Sequence, residues 1–384
     1  MKLAFSGGGF RATFYSLGAY RRLVELGVQE IVSHISSVSG GSLTAGAILH
    51  GLKQGPFFDV DDFDRRVTVP LRRFGQLNLR RRLLMSALRP QLRWESLKNR
   101  LSRLLQETLD RELFHDTLLA DLPRVPEWSC NATCLNTMRR FRFKPTDVYG
   151  KALGLCTDIF DLKMSLAVAA SNAFPLLFAP VRLDNRGRHY QTHEGAPVEV
   201  SEVLYLTDGG VYDNLGTDNL LKEPFPFVLL DASLEAPAAM HGYRPRFLNL
   251  RLHEISFQHV LDLRRRLLNS HFTGIQLPIA QSLRQLLDML KRPLPDYGAE
   301  SDEWDSLIAS LRTDLDAFHT IEIEMLMWAG AARMDAAVKT LFPHLLAERR
   351  DDLPAFPRHE AERVRTVLSR GRRRALLQLH KQLT

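Results

Sequence analysis

Apolar positions in the first fifty residues follow two periods in turn. Leu3, Ala4 and Phe5 form a short unbroken run that stops at Ser6-Gly7-Gly8-Gly9, after which Phe14, Leu17, Tyr20 and Leu23 recur every three residues until Gly27. The short run predicts a buried strand, and the second spacing, close to the helical period of 3.6, predicts a helix with one apolar face. The same order then repeats. Glu30-Ile31-Val32-Ser33-His34-Ile35-Ser36 is rich in β-branched residues, Ser37-Val38-Ser39-Gly40-Gly41 turns, and residues 42–52 resume as a helix of small residues. Strands that feed helices through tight turns are the units of a parallel sheet covered by helices.

From Pro56 to about Pro123 the chain changes character, with Arg and Leu at helical spacing interrupted by Pro70, Gly75 and Pro90, which predicts an inserted helical segment. Strand patterns return at residues 128–136 and 139–143, where Phe141 and Phe143 alternate with Arg140 and Arg142. A small-residue helix through residues 166–173 stops at Phe174-Pro175. Residues 181–200 read as a hairpin around Asn185-Arg186-Gly187, and residues 203–206 as a buried strand that runs into Thr207-Asp208-Gly209-Gly210. Another apolar run, residues 225–230, ends in Asp231-Ala232-Ser233, and beyond about residue 254 the pattern is helical. The expected fold class is α/β with a mostly parallel central sheet. Its expected organisation is one domain over residues 1–250, carrying an insertion at about 55–125, with a C-terminal helical extension over 251–384 packed on the core.

Composition adds that the chain is globular: 384 residues, 45% apolar and 25% charged, exclude disordered and fibrous classes. The net charge of +7 is a sum of opposites. Residues 65–103 hold eleven Arg and one Lys against Glu95, residues 362–384 hold seven cations against Glu362, and subtracting both from +7 leaves −10 on the remainder. Cys130, Cys134 and Cys156 contain no Cys-x-x-Cys pair and give neither a disulfide framework nor a zinc site. The early glycines leave no room for a signal peptide, and no apolar run approaches the ~18 residues that span a bilayer. The expected address is the cytosol, so the acceptor-like Asn131-Ala132-Thr133 is read as chance.

In an α/β sheet the chemistry lies beyond the strand ends. Gly7-Gly8-Gly9 with Arg11 can turn backbone N–H groups toward one point at a helix N-terminus, which suits a phosphate or a developing oxyanion. Ser39, between a strand and a helix and followed by Gly40 and Gly41, has the setting of a nucleophile elbow; a plain helix cap is the alternative. Asp208 follows an apolar strand and precedes two glycines, which makes it either a base or a turn residue. Asp231 is the second-choice acid.

At these places the sequence resembles the patatin-like phospholipase family. The family's Gly-Gly-Gly-x-Arg motif stands here as Gly7-Gly8-Gly9-Phe10-Arg11, and its nucleophile motif matches Ser37-Val38-Ser39-Gly40-Gly41 apart from the first residue. Its Asp-Gly-Gly/Ala motif is Asp208-Gly209-Gly210, and Ala170-Ser171-Asn172-Ala173-Phe174-Pro175 looks like its Ala-Ser-x-Ala-x-Pro helix. The resemblance covers residues 1–54 and 125–235. It implies a three-layer patatin-like fold and a phospholipase A or lysophospholipase that uses no metal or organic cofactor. Ser39 would be the nucleophile, Asp208 the base, the amides of Gly7, Gly8 and Gly9 the oxyanion hole, and Arg11 a support for the loop or for a lipid phosphate. A Ser-Asp dyad needs no histidine, and His34 is read as a packed strand residue.

Other readings stand beside this one. Gly7-x-Gly9-x-x-Ala12 fits a dinucleotide fingerprint, but the second strand ends in serines where a ribose-binding acid is required. His189, His193 and Glu194 have metal-like spacing, yet two strand repeats place the histidines ~13 Å apart. The segment 65–103 is a solvated helical face, with Leu83, Leu84, Leu88 and Leu97 inward, a patch for a membrane surface, with Phe74, Leu79 and Trp94 at the interface, or a site for a soluble anion such as RNA or a nucleotide signal. No nucleic-acid motif accompanies it. A lipid-binding scaffold without hydrolysis, and a ligand-gated membrane-degrading effector of antiviral defence, are the functional alternatives.

Overall fold

The computed structural model describes residues 1–79, 85, 97–175, 177–218, 220, 226–233, 248–271, 274–292, 301–346, 354, 357 and 359–373. Strands β1 (Lys2–Phe5), β2 (His34–Val38) and β3 (Glu127–Cys134) lie side by side and parallel. Beyond β3 the sheet continues antiparallel through β4 (Arg139–Phe143), β5 (Val148–Gly150) and β6 (Gly154–Cys156). In the sheet β6 is followed by β8 (Tyr190–Gln191) and β9 (Pro197–Val198), while β7 (Val181–Asp184) pairs with β10 (Val203–Asp208), which lies against β3. On the far side of β1 stand β11 (Phe227–Asp231) and β12 (Gly274–Pro278), both parallel to it.

Helices cover both faces of this sheet. They are α1 (Gly9–Glu25), α2 (Gly40–Leu52), α3 (Val60–Phe63), α4 (Val69–Gln76), α5 (Leu97–Leu109) and α6 (Met164–Ser171). The later ones are α7 (Gly210–Asp213), α8 (Leu248–His271), α9 (Leu283–Met289), α10 (Ser301–Ala309), α11 (Thr320–Leu341) and α12 (Ala361–Arg373). Strand alternation assigns the two faces. Leu3 and Phe5 join the large core with α1, α2 and α11, whereas Ala4 joins Leu215, Phe227, Leu229, Leu261 and Leu268 in a smaller core under α8. This is the expected three-layer α/β arrangement.

Two expectations are corrected. The C-terminal region is not helical throughout, because β12 extends the sheet beside β11 with Ile275 opposite Val228 and Leu277 opposite Leu230. Nor is there a hairpin around residues 185–187: β7 pairs with β10, and the tight turn falls later, where Thr192 N–H donates to Ala196 O and Tyr190 faces Val198. The region after residue 250 is also bound into the core. α11 crosses α1 at Gly18, where a Cβ would fall 1.9 Å from Met327 O, and buried Arg22 pairs with buried Asp335 at 2.8 Å.

Candidate active site

The register of β3 explains how Ser39 and Asp208 meet. β2 runs along β3 only as far as Val38, opposite Asn131. The rest of that lane is taken by β10 running the other way, with Asp208 opposite Ala132. Two strands thus meet end to end, and the last residue of β10 abuts the turn that follows β2. Ser39 Oγ donates to Asp208 Oδ2 at 2.7 Å.

The turn is a strained one. Ser39 has φ 49° and ψ −124°, a conformation costly for a residue with a Cβ, and it is held from several sides. Its N–H donates to Ser171 Oγ at 2.9 Å, and Ser171 Oγ donates to Asn131 O at 2.7 Å. Ser37, which stands where the motif has glycine, is buried, and its hydroxyl accepts from Trp128 Nε1 and from Ser42 Oγ, both at 3.0 Å. A hydroxyl with two donors is stable in the core, which accounts for serine at that position.

Asp208 is 5% exposed. Burial pushes its pKa up to about 6, against the pull of the hydrogen bonds from Ser39 and from the Gly210 N–H, the latter at 2.7 Å. Thr133 Oγ1 holds the Asp208 carbonyl at 2.9 Å. A carboxylate raised to this value and bonded to a serine hydroxyl can accept its proton near neutral pH.

The glycine loop lies against the same turn. A Cβ on Gly40 would sit 2.0 Å from Gly9 O, so the starts of α1 and α2 touch backbone to backbone. Their N-termini, each with a partial positive charge, converge beside Ser39. Of the three amides expected to face an oxyanion, Gly7 N–H is already used: it donates to Asn214 O at 2.9 Å. Among the described residues the Gly8 and Gly9 amides have no backbone acceptor.

Arg11 does not face the site. It is 1% exposed, and its guanidinium donates to Ala309 O at 2.8 Å, Leu311 O at 3.1 Å and Ala232 O at 2.7 Å. A lipid phosphate cannot reach it, so of the two expected roles only support of the loop remains. Asp231 is also accounted for elsewhere, buried and paired with Arg265 at 2.7 Å. His34, at the opposite end of β2 from Ser39, bonds Ser129 Oγ through Nε2 at 3.0 Å. His189 pairs with Asp158 while His193 stacks on Tyr149, so the two share no site.

Two cavities flank the turn after Asp208. One, about 250 Å³, lies between Gly210, Asn214 and the α8 residues Phe257, Val260 and Arg264. The other, about 290 Å³, is lined by Asn99, Leu135, Pro175, Phe178, Thr207 and Val211. In the basic segment, Arg65 and Arg66 pair with Asp62, and Arg72 pairs with Glu324 at 2.6 Å. Phe74 packs edge-on against Phe10, and Asn99 lines the second cavity. Residues 80–84 and 86–96, including five of its eleven arginines, and the tail after residue 373 lie outside the described residues. No described helix is long and apolar enough to cross a membrane. Sequence reading missed Ser171, which stands inside the Ala-Ser-x-Ala-x-Pro motif, and Asn214, which lies four residues beyond Asp208-Gly209-Gly210.

The family model described as Patatin-like phospholipase matches residues 3–221. Among solved structures, the chain is similar to human GIVD cytosolic phospholipase A2, with TM-score 0.53 and 15% identity over 90% of this chain and 59% of that one. The same human protein in complex with methyl gamma-linolenyl fluorophosphonate gives TM-score 0.49 and 15% identity over 96% and 59%. At this identity the likeness is one of fold, and the chain spans 59% of the length of that protein's structure. No curated protein sequence matches the chain.

Proposed function

Since the chain belongs to the patatin-like phospholipase family, we propose that it is a lipid acyl hydrolase, cleaving the carboxylic esters of phospholipids or lysophospholipids. The observation that carries this reading is the 2.7 Å bond from Ser39 Oγ to a buried carboxylate with pKa about 6. Ser39 Oγ attacks the ester carbonyl while its proton passes to Asp208 Oδ2. The oxyanion takes its hydrogen bonds from the Gly8 and Gly9 amides, where the two helix N-termini add positive potential. As the intermediate collapses, Asp208 returns the proton to the departing alcohol. It then deprotonates the water that attacks the acyl-enzyme, and passes that proton to Ser39 Oγ as the fatty acid leaves. These steps use only groups of the chain. Residues 1–250 would carry the catalytic groups, and 251–384 would complete the same fold through β12 and the helices that follow it.

The test is fatty-acid release from phospholipid and lysophospholipid vesicles as a function of pH. The base acts when deprotonated, so kcat/KM is expected to rise about tenfold per pH unit below about 6 and to level off above it. Absence of release by the folded protein at any pH, or a profile flat through 6, would refute the reading. The setting would be cytoplasmic and peripheral to a membrane, with segment 65–103 as the contact. Vesicle binding should then require anionic lipid and weaken as salt rises from about 0.1 M toward 1 M. Binding indifferent to both would make the segment a solvated face.

A further inference from the structure

We infer that the loop between α10 and α11, residues 310–319, is the wall that sets the glycine loop, and that Arg312 is the positioning residue at its centre. The inference rests on the reading of Gly8 and Gly9 as oxyanion donors. The family match ends at residue 221, well before this loop.

The loop touches the glycines through backbone. A Cβ on Gly9, where φ is +54°, would fall 1.9 Å from Thr313 O and 2.9 Å from Asp314 O. Phe10 N–H donates to Asp314 O at 3.2 Å, and the two Arg11 bonds to Ala309 O and Leu311 O tie the first turn of α1 to the same stretch. The Gly9 amide is therefore set by carbonyls some three hundred residues away along the chain, whereas Gly8 packs against Ala232 O.

Arg312 holds that stretch in shape. Its side chain is fully buried, with Nη1 donating to Glu322 Oε1 at 2.6 Å and Nη2 to Ala317 O at 2.7 Å, while Nε lies 3.2 Å from Asp314 Oδ1. The guanidinium also stacks 3.9 Å over the Phe318 ring, and Phe318 packs edge-on against Phe10. One cation thus connects Asp314 and Phe318, both in contact with Gly9 or Phe10, with Ala317 between them, and anchors them to Glu322 at the start of α11. The tail helix closes the arrangement. Arg312 Nη1 reaches Gly371 O at 3.4 Å, and a Cβ on Gly371 would fall 1.9 Å from Glu322 Oε1. A displacement of α12 therefore reaches the glycine loop through Arg312 and its two carboxylate partners, Glu322 and Asp314.

Removing Arg312 alone would leave Glu322 buried without its cation, a strongly destabilising change in itself. The informative variant is the double one, R312M with E322Q, which removes both charges and keeps the volume. The expected result is thermal stability near wild type, KM unchanged within about twofold, and kcat lower by about 10²-fold, the size of effect that follows a misplacement of about 1 Å at a reacting group. Hydrogen exchange at the Phe10 amide should be at least about tenfold faster, and it reads the loop whether or not lipid is hydrolysed. Wild-type kcat in the double variant overturns the inference. Should the wild-type protein hydrolyse no lipid, the functional reading fails separately, and unchanged Phe10 exchange then overturns the positioning role. If the double variant does not fold, Gly371→Ala perturbs the same pair from the tail side with every charge retained, and the same two measurements decide.

Discussion

Ser39→Ala is expected to reduce fatty-acid release by about 10⁶-fold, the loss seen when a nucleophile that acts with its base as a unit is removed. The fold should survive. Alanine carries the same Cβ into the strained turn, and the Ser171 bond is made to the backbone N–H, which the substitution leaves in place. What disappears is the hydroxyl that donates to Asp208, and with it one of the two bonds that lower the pKa of this buried acid. The carboxyl of the variant should therefore titrate still higher than in the wild type, which limits the cost of the lost bond because a protonated acid is less penalised by burial. Release assays paired with thermal unfolding give the check. Activity above about 1% of wild type in a folded variant would remove Ser39 from the mechanism.

The parts of the site that were legible in the sequence are those with a local signature. A strand that ends in three glycines, or in Ser39-Gly40-Gly41, announces a tight turn because those turns need residues without bulk. The helical period that follows sets where the turn points. The direction of β10 has no such signature. An apolar run ending in Asp208 reads the same whether the strand is parallel or antiparallel, and only the vacancy beside β3 beyond Val38 selects the second. The same indifference hid β12, whose five residues are too few to show a period beside the long helical pattern around them.

Arg11 illustrates a different blindness. Its motif was legible, but its partners are the carbonyls of Ala232, Ala309 and Leu311, and a carbonyl is common to every residue. Contacts made through backbone leave no trace in residue type, so the wall built by residues 310–319 could not be read beforehand. The charge was legible as a distribution and not as a location. Of the described residues of segment 65–103, Phe74 packs on Phe10 and Asn99 lines the cavity at Val211.

Asp208→Asn is expected to lower release by about 10⁴-fold and, at the same time, to make the protein more stable. The two effects have one origin. The amide fits both existing bonds, since its oxygen can accept from Gly210 N–H and its NH2 can donate to Ser39 Oγ. The serine hydroxyl is then an acceptor with no base to take its proton, and the turn keeps its geometry. Stability follows from the sign of the pKa change. Burial raises the folded-state value from the ordinary 3.8 to about 6, so the folded protein binds this proton more tightly than the unfolded chain does. The ionised form therefore costs stability above pH 6, by about 3 kcal/mol at about 1.4 kcal/mol per tenfold change. That cost shrinks as pH falls from 6 toward 3.8 and the folded protein takes up the proton. A neutral asparagine carries no such cost at any pH. Denaturant unfolding should consequently show the variant ahead of wild type at pH 8, with the gap closing toward pH 4. Equal stability at pH 8 would mean that the buried carboxylate is not strained, and a base without that strain would be too weak to activate Ser39 near neutral pH.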